Sequence, residues 1–334
     1  MSAIGSCRHA LQLAAFCLAL LPTLAHADDL APIRVHLEQR EERIDYAAVK
    51  MTVDSLTDPA TDHLSVNRQI SHWERMVRAN VSGDADEWNT FAALIKTLYE
   101  PGPWNDNKPF TYDLDDPMGA NPANKRLSTY LETRKGNCVS MPMFVLILGQ
   151  RLGLPVTLAK APKHFLVKFG DARQNAWVNF EATAGGFKTD SSYERETGMT
   201  EIAVANQLYL RPLRPRENVV AIASTLAEDY YRRRDGDALM ALADLVLAEN
   251  PRNHKAMLWK GTAYAFQIDE RIKKPYPNIS DIPIHLVAEY QRLGRSNNEW
   301  FEKAEQLGWK EQTPEQEAQY LRAIEREKAK RAAR

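Results

Sequence analysis

The stretch Gly136–Val156, GNCVSMPMFVLILGQRLGLPV, places a cysteine at the start of a continuous apolar segment. The segment has the length of a helix, and Gly153 and Pro155 are residue types that end helices. The pattern therefore predicts an apolar helix that begins at Cys138 and stops where the next element opens.

The residues around Cys138 predict a reactive thiol. Asn137 is a residue type that caps helices, and Pro142 is tolerated in or just past a first turn. Cys138 then lies at the positive end of the helix, where partial charge and free amide groups favour the thiolate. Arg134 and Lys135 lie just upstream and are expected to add positive charge. These surroundings suit a nucleophile better than an inert buried cysteine.

The segments on either side of this helix differ in pattern. From Leu30 to about Glu100, apolar residues recur at helical spacing, and KRLSTYLETRKGN predicts another short helix ending near Gly136. After Pro155, the runs VTLAKA, FLVKFG and AWVNFEA predict three strands, with GDARQN as a hairpin turn between the last two. ATAGGFKTDSS, which follows, predicts a loop.

A histidine and an acid fall in register on two of these strands. His164 opens the strand FLVKF, and Trp177 begins the partner strand. Across a tight hairpin, Glu181 or Asn179 returns level with the imidazole. Either accepts a hydrogen bond from one ring nitrogen and leaves the other nitrogen for Cys138. The sequence therefore predicts a nucleophile, its base and a group that orients the base.

These motifs carry a family resemblance. The helix with its G-x-C start and its L-G-L-P end, followed by HFLVKF and WVNFEAT, resembles the transglutaminase-like superfamily. Within it, the sequence looks closest to the bacterial SirB1-type branch, and the motif-bearing region runs from about Leu114 to Gly186. The resemblance implies an α+β fold, a papain/transglutaminase-like core in which a helix-borne cysteine packs on a small antiparallel sheet.

The resemblance also implies roles for individual residues. Cys138 matches the nucleophile and His164 the general base and acid. Glu181 stands where the family usually has aspartate, which is a departure, because glutamate reaches further. Asn179 therefore remains a rival for the orienting role, as asparagine has in papain-type enzymes.

The donors of an oxyanion hole are only partly indicated. The backbone amide of Cys138 is a natural first donor. Asn137, Tyr130 and Asn124 are candidates for the second, and the sequence does not choose among them.

The N-terminus predicts export. A basic residue, Arg8, precedes an apolar run and an A-x-A site, so we expect a signal peptide of residues 1–27 and a mature chain beginning at Asp28. A membrane anchor is the alternative, but the run is short for a span. Cleavage removes Cys7 and Cys17 and leaves Cys138 alone. A single cysteine in an oxidising compartment indicates an intermolecular bridge, a buried inert thiol or a reactive one. We therefore expect a periplasmic or secreted protein without stable membrane insertion.

Composition argues against several partners and cofactors. With 43 Lys and Arg against 44 Asp and Glu, the net charge is −1, which argues against nucleic acid as a partner. The chain shows no C-x-x-C, H-E-x-x-H or glycine-rich phosphate loop. We therefore predict no cofactor and no metal.

The C-terminal part resembles tetratricopeptide repeats. Tyr230 and Tyr264 lie 34 residues apart, and Ala227 and Gly261 keep the same offset. An unrelated stack of helical hairpins is the alternative. The expected organisation is a signal peptide at 1–27, a transglutaminase-like domain at 28–212 with a helical part at 28–100 and a catalytic core at about 101–190, and a repeat domain at 213–334.

The function expected from these features is cysteine-dependent acyl transfer on a peptide or protein that the C-terminal repeats recruit. The reaction is either hydrolysis, as in a peptidase or amidase, or transfer to an amine, as in a protein-glutamine transferase; hydrolysis is the default because nothing marks an amine pocket. One alternative is a catalytically silent binding scaffold. A weaker one is an assembly factor whose cysteine forms a mixed disulfide with a client.

Overall fold

The N-terminal region is a group of helices. The computed structural model describes residues 29–117 and 119–332, so the predicted signal peptide lies outside the described residues. The four helices that come first are α1 (Ala31–Leu37), α2 (Tyr46–Thr57), α3 (His63–Asn80) and α4 (Glu87–Tyr99). The N-caps of α2, α3 and α4 are Asp45, Asp62 and Asp86. The side chain of each accepts a hydrogen bond from a backbone N–H of the first turn. The helical pattern predicted for this region is confirmed.

The sheet is a meander of four antiparallel strands in the order in which they occur in the chain. Its strands are β3 (Val156–Ala161), β4 (His164–Asp171), β5 (Ala176–Glu181) and β6 (Gly186–Lys188). Gly170 has φ +152°, and a Cβ there would lie 2.0 Å from the carbonyl oxygen of Ala176, so only glycine fits at the β4–β5 hairpin. The three predicted strands and this hairpin are confirmed.

The prediction that ATAGGFKTDSS forms a loop is partly wrong. β6 pairs with β5, with Phe187 opposite Phe180, and the helix α7 (Asp190–Thr197) begins before the predicted loop ends. The glycines gave the segment a loop-like composition. Its strand forms because Phe187 stacks on Trp88 of α4, a contact that is distant in sequence.

The cysteine-bearing segment lies at the centre of this part. A two-stranded parallel pair, β1 (Thr111–Tyr112) and β2 (Lys135–Gly136), flanks the helix α5 (Leu127–Thr133), and α6 (Ser140–Arg151) follows. Every residue of α6 from Ser140 to Gly149 is buried, with helices α2 to α5 and strands β3 and β4 around it. α6 is therefore the core helix on which the sheet and the N-terminal helices pack.

The C-terminal region is helical, as predicted. Its helices are α8 (Glu201–Ala205), α9 (Pro215–Ala223), α10 (Ala227–Arg233), α11 (Gly236–Glu249), α12 (His254–Ile268), α13 (Ile284–Gln306) and α14 (Pro314–Ala332). α9 packs on α1, α2 and β3, and one hydrophobic cluster runs from Leu30 to Phe266. The core is thus continuous across residue 213, and the division of the chain into domains there stays a prediction.

The helices α11, α12 and α13 pack one on the next. Tyr230 is buried on α10, whereas Tyr264 on α12 is only partly buried. Gly261 faces the ring of Phe301 so closely that a Cβ would lie 2.6 Å from it. The tetratricopeptide-like character of this region also stays a prediction. No helix in residues 29–117 and 119–332 combines the length and the apolar character needed to cross a membrane.

Candidate active site

Cys138 lies in a capped turn that leads into α6. The side-chain oxygen of Asn137 accepts the amides of Val139 at 3.0 Å and Ser140 at 3.1 Å, and its carbonyl accepts the amide of Met141 at 3.1 Å. The capping role of Asn137 is therefore as predicted, but the helix begins at Ser140 and not at Cys138. Cys138 is held inside the capping turn, two residues before the helix.

The thiol faces the hairpin that joins β3 to β4. Pro162 and Lys163 form this two-residue turn, and Lys163 takes the left-handed conformation with φ 54°. Sγ of Cys138 lies 3.8 Å from the carbonyl oxygen of Lys163. His164, the next residue, opens β4 as expected, so the hairpin brings the imidazole to the thiol.

His164 connects the thiol to a carboxylate. Its Nε2 lies 2.8 Å from Oε2 of Glu181, and the Cys138 side chain is close enough to act on the charge of the ring. Because Nε2 is occupied by Glu181, Nδ1 is the nitrogen left for the thiol. Burial alone would lower the pKa of His164, but the hydrogen bonds and charges of Cys138 and Glu181 outweigh it and raise this pKa to about 10. The geometry therefore favours the imidazolium.

Both carboxylate oxygens of Glu181 accept hydrogen bonds. Its Oε2 also accepts the hydroxyl of Tyr193 at 2.7 Å, and its Oε1 accepts both the amide of Thr183, at 3.1 Å, and its hydroxyl, at 2.6 Å. Burial opposes ionisation, yet His164 and these donors hold the pKa of Glu181 down to about 2. The carboxylate is thus fixed in both charge and orientation.

Sequence reasoning did not identify Thr183 or Tyr193. Thr183 follows Glu181 by two residues, and a hydroxyl residue so close to a strand-end acid was a usable signal. Tyr193 lies on α7, which the sequence pattern did not predict, and nothing local ties that helix to the acid.

Asn179 is placed away from the imidazole. Its side-chain nitrogen donates to Asp190 at 2.6 Å, and its strand position lies opposite Lys168. Alternate residues of a strand share a face but lie about 6–7 Å apart along it. The structure therefore brings Glu181 to His164 and leaves Asn179 beside α7.

Two of the three candidates for the second oxyanion donor, Asn137 and Asn124, donate to other groups. The side-chain nitrogen of Asn137 donates to the carbonyl of Asn124 at 3.2 Å, and that of Asn124 donates to Asp116 at 2.7 Å. Tyr130 is fully buried between the rings of Phe110 and Phe144. The backbone amide of Cys138 has no acceptor within the described residues and remains the donor closest to the thiol.

The cations near the thiol are not the expected ones. Arg134 donates to the carbonyls of Asn105 at 2.6 Å and Lys108 at 2.7 Å, and Lys135 lies 3.3 Å from Asp115. These two residues are therefore directed away from Cys138.

Lys125 and Lys255 are the lysines whose charges interact with Cys138. Burial lowers the pKa of each, and the interaction with Cys138 opposes that shift. Lys255 belongs to α12, so the helical C-terminal region contributes charge to the site. No sequence pattern indicated this, because only the tertiary fold brings the charge of Lys255 within range of Cys138.

The site opens into one cavity of about 770 Å³. Its walls include Cys138, Lys163, His164, Glu181, Tyr193 and Ile324. The volume is that of a ligand-binding cleft. Within the described residues, no group of three or more His, Cys, Asp or Glu side chains is arranged to hold a metal ion. The arrangement suits attack by a sulfur nucleophile with an imidazole as proton carrier.

Comparison with known proteins identifies the class of the domain. Residues 65–220 match the family model Transglut_core2, the transglutaminase-like superfamily. This part of the chain is therefore a transglutaminase-like domain, as the sequence motifs predicted. No curated protein matches the chain.

One solved structure resembles the chain weakly. It is the crystal structure of menin that reveals the binding site for Mixed Lineage Leukemia (MLL) protein, at 13% identity, with 88% of this chain and 87% of that chain covered. The TM-score is 0.38, and we draw no conclusion from this likeness.

Proposed function

We propose that this protein is a cysteine-dependent acyl-transfer enzyme that acts on a peptide or protein carboxamide through Cys138, His164 and Glu181. The observation that carries the proposal is that Cys138, His164 and Glu181 line one cavity, with Nε2 of His164 2.8 Å from Glu181 and with the Cys138 side chain helping to raise the pKa of His164. The transglutaminase-like domain at residues 65–220 supports it. Glu181 acts through His164 and is a positioning residue.

In the acylation step, the Cys138 thiolate attacks the carbonyl carbon of the substrate. The carbonyl oxygen becomes an oxyanion, which the Cys138 amide stabilises. As the tetrahedral intermediate collapses, the His164 imidazolium gives its proton to the nitrogen of the leaving group. The C–N bond breaks, the amine departs and a thioester to Cys138 remains. Glu181 keeps the imidazole oriented while the ring loses its charge.

The second step regenerates the thiolate. Neutral His164 takes a proton from an incoming water or amine, which attacks the thioester carbonyl. The C–S bond breaks, the thiolate leaves and the imidazolium is restored. Water yields a carboxylic acid and an amine yields a new amide. Hydrolysis is the proposed default, as it was from sequence.

The biological setting belongs to the same proposal. The protein is exported to the periplasm or secreted, belongs to the SirB1-type branch, and recruits its substrate through tetratricopeptide-like C-terminal repeats. The packing of α11, α12 and α13 one on the next supports a repeat region, and the charge of Lys255 on α12 interacts with Cys138.

The decisive experiment traps the thioester. The mature chain is mixed with a fluorogenic peptide-amide library, quenched in acid, and weighed intact by mass spectrometry. We expect an acyl adduct on Cys138 that is absent from Cys138→Ala and, in a matched control, present in Asn179→Ala. A library that yields neither adduct nor hydrolysis, together with a thiol that alkylates only on unfolding, would favour the catalytically silent scaffold.

A further inference from the structure

We propose that a second, smaller cavity, outside the candidate active site, binds a small oxyanion of the phosphate or sulfate class. The cavity has a volume of about 130 Å³ and lies where β3, the segment before α9 and the start of α12 meet. It shares no lining residue with the cavity around Cys138. The proposal therefore stands independently of the proposed enzymatic function.

The lining of this cavity is polar and basic. Its cationic and imidazole side chains come from three separate segments: Lys160, Arg211, Arg252 and His254. Side-chain amides supply further donors, and no lining residue is Asp or Glu. Such a wall offers N–H groups and positive charge to an anion and repels a cation.

Lys160 is a cationic side chain of this wall that has no partner among the described residues. Within residues 29–117 and 119–332 its ammonium group makes no hydrogen bond or ion pair, although it is partly buried. Burial and the charges of Lys255 and Arg211 lower its pKa to about 7, against the opposing effect of Glu217. A desolvated ammonium without a partner is costly, and a bound anion would remove that cost.

The carboxylate nearest to this cluster is already used. Glu217 is buried and accepts Nη1 of Arg211 at 2.8 Å, a second bond from the same guanidinium, and the amide of Arg214 at 2.9 Å. Its ion pairs are with Arg211 and Arg214, and it forms none with Lys160. An anion bound in the cavity would pair with the ammonium form of Lys160.

Other residues that line the cavity carry donor groups or positive charge. Arg252 bonds Oδ1 of Asn206 through one nitrogen only, at 2.5 Å, so the remaining N–H groups of its guanidinium are available. Asn253 caps α12, and the start of that helix adds partial positive charge. His254 is buried, and burial with the charges of Lys255 and Lys160 lowers its pKa to about 3, so it is neutral.

The volume defines the class of ligand. At about 130 Å³, the cavity has several times the roughly 30 Å³ that one water molecule occupies in the liquid. This suits a tetrahedral oxyanion, whose several oxygens accept from donors on all three walls. A nucleotide or an oligosaccharide needs a larger cleft.

The test measures the thermal unfolding midpoint of the mature chain while sulfate replaces chloride at constant ionic strength. We expect a saturable rise of a few degrees, as for a ligand that binds only the folded state. Lys160→Met should abolish the rise and Arg252→Gln should reduce it. Lys260→Met is the matched control: Lys260 lies on α12, pairs with Asp244 and does not line the cavity, so this variant should retain the full rise.

A pH series adds a second readout. Sulfate keeps its charge between about pH 6 and about pH 8, whereas Lys160 loses protons over that range, so the rise should be larger at the lower pH. Phosphate, compared with chloride at a single pH, should also raise the midpoint. The proposal is overturned if Lys160→Met and Arg252→Gln both respond like the unmodified chain, or if the midpoint stays unchanged when sulfate replaces chloride.

Discussion

The side chains of Glu181 on β5 and His164 on β4 form a hydrogen bond, with Oε2 of the carboxylate 2.8 Å from Nε2 of the imidazole. The same carboxylate accepts three more hydrogen bonds, from Tyr193 and twice from Thr183. A glutamate is longer than the aspartate that the family motif usually carries. The extra length lets Glu181 stay anchored to its own strand end while it reaches the ring.

The first prediction concerns the orienting residue. Glu181→Gln removes the negative charge that stabilises the imidazolium, so alkylation of Cys138 at mildly acidic pH should slow by about tenfold or more. Asn179→Ala should change it less than about twofold, because Asn179 bonds to Asp190. Rates of iodoacetamide labelling measure both. The reverse order would give the orienting role to Asn179.

The second prediction concerns the pH dependence of stability. The pKa of His164 is raised to about 10 from the ordinary 6.5, so its stabilising effect is complete below about pH 6.5 and is lost as the pH rises through about 10. The pKa of Glu181 is lowered to about 2 from 4.5, so its effect is complete above about pH 4.5 and is lost as the pH falls through about 2.

The measurement compares the unmodified chain with His164→Gln by urea unfolding across this range. The difference in the free energy of unfolding should be greatest between about pH 4.5 and pH 6.5 and should shrink on either side. A difference that stays constant from acid to alkaline pH would mean that the imidazole is neutral in the folded protein.

The third prediction concerns Tyr193, which donates to Glu181. Tyr193→Phe removes one hydrogen bond to a charged group, worth about 1.5–3 kcal/mol, while keeping the ring. Unfolding free energy should fall by no more than that amount. When the rate of Cys138 alkylation is plotted against pH, its fall on the acid side should occur at a higher pH, because Glu181 ionises less readily. A purely structural tyrosine would lower stability and leave that fall at the same pH.

How far the sequence predicted this site depends on how local each contact is. Cys138, His164 and Glu181 were identifiable because each stands at the start or end of an element with a clear period, and a hairpin fixes the strand register. Tyr193 and Lys255 were not identifiable, since their positions depend on how α7 and α12 pack. Lys125 was not identifiable either, because its partner is Glu228 of α10, far away in the sequence. The charge around the thiol is therefore the part of the site that sequence reasoning misassigned, to Arg134 and Lys135.

The helices and strands also divide into those that the local sequence predicts and those that depend on tertiary packing. The apolar run of α6 and the residue patterns of strands β3 to β5 were enough to predict these elements from the local sequence. β6 has three residues, and β1 and β2 have two each, so they form only where a neighbouring strand already offers hydrogen-bonding groups. Short strands of this kind have no periodicity to detect.

The fourth prediction concerns the capping turn. Asn137→Ala removes the acceptor for the amides of Val139 and Ser140, which should cost about 1 kcal/mol of stability. It should also slow labelling of Cys138, because the turn that presents the thiol loosens. Asn121→Ala is a matched control: Asn121 caps a separate short turn through Ala123, so its loss should cost stability without changing the labelling rate.

The last prediction separates a reactive thiol from a structural one. If His164 activates Cys138, iodoacetamide should label the folded protein rapidly well below about pH 8.5, the usual pKa of a free thiol. His164→Ala should slow that labelling strongly and lower any acyl-transfer rate by about 10²–10⁴-fold, the usual contribution of an acid–base residue. Cys138→Ala should leave the free energy of unfolding nearly unchanged, since Cys138 is only partly buried and lies in a turn. A thiol that labels only after unfolding, with a Cys138→Ala loss of about 2–5 kcal/mol as in a core truncation, would instead make the cysteine structural and leave the scaffold as the better reading of this domain.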